Sequence, residues 1–235
     1  MGSKDRLVAC HCRGGFQTRP YRTARSLESV VRRAAGPVHL VGHSFGGLAA
    51  LAVALRNKVP LRSLAILEAP AAEALRHAEE HHHYRAFREM TDIYFAGFRA
   101  GEEAAIGSMI DFFGGAGTFA GWPQRVRGYA VETTAVNILD WASAFGFPLT
   151  PASLAKVKVP TLVVRGGASH PAAQRANELL GRYMADASVV TIAGAAHFMI
   201  STHAKDMARV IAEHVARAET IRGSAVDGPR HLRSP

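Results

Sequence analysis

The stretch from Val38 to Leu55 reads VHLVGHSFGGLAALAVAL and decides the fold. It begins with a short apolar run, which predicts a buried strand, and ends in a segment rich in alanine and leucine, which predicts a helix. Between them, the five residues Gly42 to Gly46 match the pattern G-x-S-x-G. Glycines on both sides of a serine indicate a turn too tight for larger side chains. Such a turn lifts Ser44 above the end of the strand, beside the positive end of the helix.

Strands and helices alternate along most of the remaining chain. Four further apolar runs predict buried strands: 6–10, 64–67, 160–164 and 188–192. Continuous apolar strands that alternate with helices are typical of a parallel sheet covered on both faces. We therefore predict an α/β fold with a mostly parallel sheet flanked by helices, built from residues 1–70 and 151–219.

Residues 71–150 differ from the chain on either side. Helical patterns cover 72–88, 90–100, 102–113 and 125–141, and no strand pattern interrupts them. This segment is also rich in aromatic residues, so we interpret it as an inserted helical cap that forms a pocket. At the other end of the chain, residues 220–235 have little to bury and are predicted to be disordered.

The chain is strongly basic, with a net charge of +9 over 235 residues. A basic balance raises the question of nucleic-acid binding. The basic residues are scattered, however, and form neither a lysine run nor a motif interleaved with aromatic residues. We therefore predict no nucleic-acid partner.

Composition also bears on location. No apolar run reaches the roughly 18 residues of a membrane span, and the N-terminus lacks the pattern of a secretory signal peptide. Two cysteines, Cys10 and Cys12, are too few for a disulfide framework. The sequence therefore predicts a cytoplasmic protein with no membrane partner.

With its surroundings, the segment Gly42-His43-Ser44-Phe45-Gly46-Gly47 resembles the nucleophile elbow of the α/β-hydrolase family. The resemblance extends from Leu7 to Ala218 and includes the predicted cap. It implies that Ser44 is a nucleophile. It also implies that the backbone N–H of Phe45 is one donor of an oxyanion hole.

A serine nucleophile needs a base, which in this family follows the last strand. There the chain reads Gly194-Ala195-Ala196-His197-Phe198, so the resemblance assigns the base to His197. We interpret His43 as pointing away from the serine. The histidines at 77 and 81–83 lie beside two glutamates but have no cysteine or aspartate at metal-ligand spacing, so we interpret them as a solvated face. No metal and no cofactor is implied.

The acid of the triad departs from the common family pattern. Most relatives place an aspartate in G-x-x-D after the strand that here covers 161–164, but this chain has Ser169 at that position. A minority layout places the acid at the end of the strand after the elbow helix, where this chain has Glu68. We therefore assign the acid to Glu68, with Asp140 of the predicted cap as a second candidate. The alternative role for Glu68 is that of a surface cap on the first helix of the insertion.

Relatives usually have three further strands before this point, and a His-Gly-type loop there supplies the second oxyanion donor. Nothing before Leu7 corresponds to that loop, so the first strands of the fold look missing. The nearest substitutes are His11 and the Arg13-Gly14 pair. A shortened sheet would expose an edge that favours a homodimer.

Together these residues predict a serine hydrolase that acts by acyl transfer on an ester, thioester, lactone or similar small carbonyl substrate. The alternative is a catalytically weak protein of the same fold that binds a small molecule without turning it over, because its oxyanion hole is incomplete.

Overall fold

The computed structural model describes residues 7–10 and 20–226 of the chain. Its strands form one parallel sheet, and their order across the sheet equals their order along the chain. They are β1 (Leu7–Cys10), β2 (Val38–His43), β3 (Leu61–Leu67), β4 (Thr161–Gly166) and β5 (Ala187–Ile192). The prediction of a parallel α/β sheet flanked by helices is confirmed. Because all strands run in one direction, their carboxyl ends meet at a single edge of the sheet.

Helices connect and cover these strands. In the described residues they are α1 (Pro20–Val31), α2 (Phe45–Arg56), α3 (Ala72–His77), α4 (His81–Arg99), α5 (Ile106–Gly114), α6 (Thr118–Gly121), α7 (Gln124–Glu132), α8 (Thr134–Ala144), α9 (Pro151–Leu154), α10 (Pro171–Tyr183), α11 (Met199–Thr202) and α12 (Ala204–Val226). Helices α1, α2 and α10 contribute to the hydrophobic cluster on one face of the sheet, and α12 contributes to the cluster on the other.

The strands supply both clusters because their side chains alternate between the faces. In β3, Leu64 and Ile66 belong to the larger cluster, whereas Ala65 and Leu67 belong to the smaller one together with Met207 of α12. Both faces of β3 are therefore buried. This explains why residues 64–67 form a continuous apolar run with no polar alternation.

Between β3 and β4 the described chain contains helices α3–α9 and no strand. The predicted helix break between residues 88 and 90 is wrong, because α4 continues from His81 to Arg99. No glycine or proline lies at the expected break, and the chain turns earlier, at Glu79, whose φ is 60°. Phe87 and Tyr94 of α4 join the same buried cluster as Leu48 of α2. The assignment of 71–150 as a separate cap stays a prediction.

The C-terminal helix is longer than expected. We predicted disorder from residue 220, but α12 continues to Val226. Extending an existing helix adds one hydrogen bond per residue without a new nucleation cost. The rest of the predicted tail, 227–235, lies outside the described residues.

None of the helices within residues 20–226 is both long enough and apolar enough to cross a bilayer. The cytoplasmic location stays a prediction.

Helix α12 carries a buried histidine. His214 is only 3% exposed, and its Nδ1 lies 3.1 Å from Nη2 of Arg217. A guanidinium can only donate hydrogen bonds, so Nδ1 must accept and the ring is neutral. Burial, assisted by the charge of Arg217, lowers the pKa of His214 to about 4. The folded protein therefore disfavours a proton that the unfolded chain accepts near pH 6.5.

This difference predicts a loss of stability in acid. The stabilising contribution is complete above the unfolded pKa and is lost as the pH falls from about 6.5 to about 4, because only the unfolded chain binds the proton in that window. By pH 4 the free energy of unfolding falls by about 3 kcal/mol through this group alone. Thermal unfolding of His214→Leu between pH 7 and pH 4 is expected to show a weaker pH dependence than wild type. The control is His81→Leu, which removes an exposed histidine. Parallel curves for wild type and His214→Leu would contradict the assignment.

Candidate active site

Ser44 occupies the tight turn between β2 and α2. Its backbone has φ 55° and ψ −130°, a conformation that costs a residue with a side chain about 1–3 kcal/mol. A Cβ on Gly42 would overlap the carbonyl oxygen of Gly46, so the turn requires glycine there. Two hydrogen bonds hold the turn in place: Ser44 N–H donates to the carbonyl of Leu67 at 3.0 Å, and Gly47 N–H donates to the carbonyl of Ser44 at 2.8 Å. The strain is thus maintained by the surrounding backbone.

His197 lies against the serine. Its Nε2 is 3.0 Å from Oγ of Ser44, and its Nδ1 is 3.2 Å from Oε1 of Glu68. Since a carboxylate only accepts hydrogen bonds, Nδ1 carries the proton and Nε2 is left to accept from the serine hydroxyl. The ring is 5% exposed and packs against Phe113, with 4.4 Å between ring centroids. It is therefore held in one orientation.

Glu68 is fully buried at the carboxyl end of β3. Its Oε2 accepts hydrogen bonds from the backbone N–H of Gly166 at 2.7 Å and from Oγ of Ser169 at 2.8 Å. Two donors on one oxygen leave the other oxygen for His197. Charge-assisted hydrogen bonds of this kind stabilise a buried carboxylate. The structure therefore brings Ser44, His197 and Glu68 into one hydrogen-bonded chain.

Ser169 is a site residue whose contact the sequence did not reveal. It stands where the family resemblance predicts an acid, and its hydroxyl donates to the carboxylate of Glu68. Its side chain is buried, with 3% of the residue exposed. The signal was present in the sequence as a polar residue at the expected acid position. The sequence predicts that both residues lie at strand ends facing the same histidine, but it does not predict the hydrogen bond between them.

Removing this contact tests it. In Ser169→Ala, Glu68 loses one of the donors that stabilise its charge. We expect kcat/KM for an ester substrate to fall about tenfold, of the order of one hydrogen bond to a charged group. The acid limb of the pH–rate profile should also move to higher pH. Ser63→Ala is the matched control, because Ser63 is equally buried in β3 but bonds to His39. An unchanged profile in Ser169→Ala would contradict the positioning role.

His43 does not point away from the site, as the sequence was interpreted to indicate. Its Nε2 donates to the carbonyl oxygen of His197 at 2.8 Å, and the two rings lie 4.8 Å apart. The elbow turn therefore places this side chain beside the base, where it supports the loop after β5. His170 instead caps helix α10, because its Nδ1 accepts from the N–H of Ala172.

The serine opens into a cavity of about 320 Å³. Its wall is formed mainly by apolar residues of α5, α7, α8 and the loops around them, and its largest side chains are Phe45, Phe113, Trp122, Tyr129, Trp141 and Phe198. Asp140 of α8 lines the same cavity, where burial raises its pKa to about 7. Both ring nitrogens of His197 are already engaged by Ser44 and Glu68. The geometry therefore favours Glu68 over Asp140 as the partner of His197.

Phe45, the predicted oxyanion donor, lines the cavity beside Ser44. Phe45 is the first residue of α2, and the first N–H groups of a helix have no partner within the helix. The helix dipole also favours negative charge there. The predicted substitutes for the second donor, His11 and the Arg13-Gly14 pair, lie outside the described residues.

The predicted histidine face includes His81 and His82, which are exposed, and the described residues contain no group of three potential metal ligands.

Comparisons with known proteins identify the family and the fold. A family model described as "Alpha/beta hydrolase family" matches residues 5–210. No curated protein matches the sequence.

Several solved structures have the same fold. A thermophilic esterase superposes with a TM-score of 0.65 at 18% identity over 85% of this chain and 74% of its own. A lipase-esterase related protein from Clostridium acetobutylicum ATCC 824 gives 0.64 at 14% identity, over 89% and 81%. Est816, described as an N-acyl homoserine lactone degrading enzyme, gives 0.63 at 17% identity, over 86% and 78%. At such identities the likeness concerns the fold.

Proposed function

The chain belongs to the alpha/beta hydrolase family, and from that premise we propose that it is a serine hydrolase. It cleaves an ester, thioester or lactone with a largely apolar acyl group through an acyl-enzyme on Ser44. The observation that carries the proposal is the continuous contact from Ser44 Oγ to His197 Nε2, at 3.0 Å, and from His197 Nδ1 to Glu68, at 3.2 Å, at the floor of a cavity. This chain of hydroxyl, imidazole and carboxylate supports the roles of nucleophile, base and orienting acid in acyl transfer.

In the first half-reaction, Oγ of Ser44 attacks the substrate carbonyl carbon while Nε2 of His197 takes the hydroxyl proton. The carbonyl oxygen becomes an oxyanion next to the N–H of Phe45 at the N-terminus of α2. Glu68 stabilises the imidazolium that forms. The tetrahedral intermediate then collapses, and His197 gives its proton to the departing alkoxide or thiolate.

In the second half-reaction, water enters and His197 removes its proton while the oxygen attacks the acyl carbon. Collapse of this intermediate releases the carboxylic acid and returns the proton to Ser44. The preorganised site needs little rearrangement between the two halves, because the base serves each with the same nitrogen. No step requires a metal ion or an organic cofactor.

A fluorophosphonate probe tests the proposal directly, because it phosphonylates only an activated serine. We expect stoichiometric labelling of the full chain, with the added mass on the peptide that contains Ser44, and hydrolysis of p-nitrophenyl butyrate. His197→Gln should abolish both, because the serine then lacks its base. The control His203→Gln changes a histidine outside the site. A chain that binds hydrophobic ligands in the cavity but neither labels nor hydrolyses would contradict the proposal and favour the binding protein.

A further inference from the structure

Polar side chains occupy one part of the otherwise apolar cavity, and the proposed mechanism uses none of them. Thr133, Asn137 and Asp140 all line it. They come from α8 and the residue that precedes it, at spacings of four and three residues, so they lie on one helix face. The described lining contains no lysine and no arginine. These three side chains form a polar strip in a wall that is otherwise mainly apolar.

The strip is rich in acceptors. Oδ1 of Asn137 is buried without a hydrogen-bond partner among the described residues. The hydroxyl of Thr133 donates to the carbonyls of Tyr129 and Ala130, at 2.8 and 3.2 Å, so its own oxygen remains able to accept. Asp140 adds a carboxyl group. A buried acceptor without a donor is unfavourable, so a hydrogen-bond donor in the cavity, from water or from a ligand, stabilises this arrangement.

We propose that Thr133, Asn137 and Asp140 form a polar subsite that binds a hydroxyl or N–H group of the substrate, at a distance from the carbonyl that Ser44 attacks. This inference rests on the proposed function for the position of that carbonyl. A substrate with a carboxylate or phosphate at this end is disfavoured, because it would face acceptors with no cation beside them. The substrate class is therefore an ester, thioester or lactone that carries a hydrogen-bond donor on an otherwise apolar chain.

A neutral donor can be bound in either protonation state of Asp140. Burial raises the pKa of this carboxyl to about 7, so its charged and its protonated forms are both present near neutral pH. The protonated carboxyl can still accept a hydrogen bond through its carbonyl oxygen. A polar site of this kind discriminates by penalising the analogue that lacks the donor, because its own groups are then left unpaired.

Matched substrate pairs test the subsite. One series compares p-nitrophenyl ω-hydroxyalkanoates of six to ten carbons with the alkanoates of equal length. A second places the hydroxyl on the alcohol side, comparing monobutyrates of α,ω-diols with alkyl butyrates. We expect wild type to prefer the hydroxylated member by about tenfold or more in kcat/KM at one chain length, mainly through KM. The series that shows the preference identifies which side of the substrate reaches the strip.

Variants separate the subsite from general packing. Asp140→Leu should reduce the preference to about threefold or less, whereas Asp140→Asn, which keeps the acceptor, should retain most of it. Glu132→Leu is the control, because Glu132 is exposed on α7 and does not line the cavity. Equal rates for hydroxylated and plain substrates in wild type, or an unchanged preference in Asp140→Leu, would overturn the inference.

A binding measurement distinguishes failure of the subsite from failure of the proposed function. Calorimetric titration of the Ser44→Ala variant with 8-hydroxyoctan-2-one and with octan-2-one needs no turnover. We expect about tenfold tighter binding of the hydroxyketone, lost on adding Asp140→Leu. If the wild-type chain hydrolyses no ester but this difference is present, the subsite holds and the hydrolase assignment fails. Equal binding of the two ketones contradicts the subsite whatever the activity.

Discussion

Replacing Ser44 by alanine is expected to lower kcat for p-nitrophenyl butyrate by about 10⁴–10⁶-fold, the range for loss of a triad nucleophile. Without Oγ no acyl-enzyme forms, and His197 is left to activate water that the site does not position. The residual rate should reflect binding and the N–H of Phe45 alone. Fluorophosphonate labelling should disappear in the same variant.

The comparison depends on the variant being folded. The strained backbone of residue 44 is imposed by the bonds to Leu67 and Gly47, which use main-chain atoms only, so alanine should occupy the same turn. We expect a melting temperature within a few degrees of wild type. Ser201→Ala is the control, because Ser201 is an exposed serine on α11. Turnover in Ser44→Ala that equals this control, at matched purity, would remove Ser44 from the mechanism.

The elbow could be predicted because its cause is local. A tight turn between a strand and a helix needs glycine where the backbones approach, and a Cβ on Gly42 would overlap the carbonyl oxygen of Gly46. His197 and Glu68 could be placed with one further assumption, that the carboxyl ends of parallel strands share an edge. The sheet order then brings the end of β3 beside the elbow and the loop after β5 close to both.

Other features could not be predicted because they depend on packing between distant segments. The cavity position of Asp140 follows from how α8 meets α5 and the loop after β5, which no local pattern encodes. The bond between Ser169 and Glu68 joins two strand ends about a hundred residues apart. The predicted direction of the His43 side chain was wrong, because it depends on the backbone dihedral angles at the turn, which the sequence does not give. The sequence therefore predicted which of these residues lie together better than it predicted the shape of the pocket.

Replacing Glu68, the proposed acid, is the second substitution with a large expected effect on activity. Glu68→Gln should lower kcat/KM by about 10²–10⁴-fold, the order found for triad acids. The donors Gly166 N–H and Ser169 Oγ occupy one carboxylate oxygen, so the carbonyl oxygen of glutamine should settle there. Its NH₂ group then faces Nδ1 of His197 and donates to it. The proton of the ring is forced onto Nε2, which can no longer accept from Ser44.

The matched control is Glu73→Gln, five residues further along. Glu73 is also buried, but its carboxylate bonds to Arg76 on the surface of α3. We expect this variant to keep kcat/KM within about threefold of wild type. A collapse in Asp140→Asn, with Glu68→Gln close to wild type, would instead move the acid into α8. The readout is the pH–rate profile of each variant, because a lost orienting acid changes kcat across the whole range.

A double variant that carries both Glu68→Gln and Ser169→Asp tests whether a carboxylate after β4 can replace the carboxylate after β3. In the wild-type chain, Oγ of Ser169 lies 2.8 Å from Oε2 of Glu68. An aspartate at position 169 therefore returns a carboxylate to the neighbourhood of His197. We expect the double variant to exceed Glu68→Gln by about tenfold or more in kcat/KM. In the wild-type background the same substitution should be harmful, because two buried carboxylates in contact cannot both ionise without strong repulsion. Ser169→Asp is therefore expected to raise kcat/KM in Glu68→Gln and to lower it in wild type. A merely structural role for Ser169 would not reverse the direction of the effect in this way. Equal losses in both would mean that residue 169 cannot reach the base and that only β3 can supply the acid.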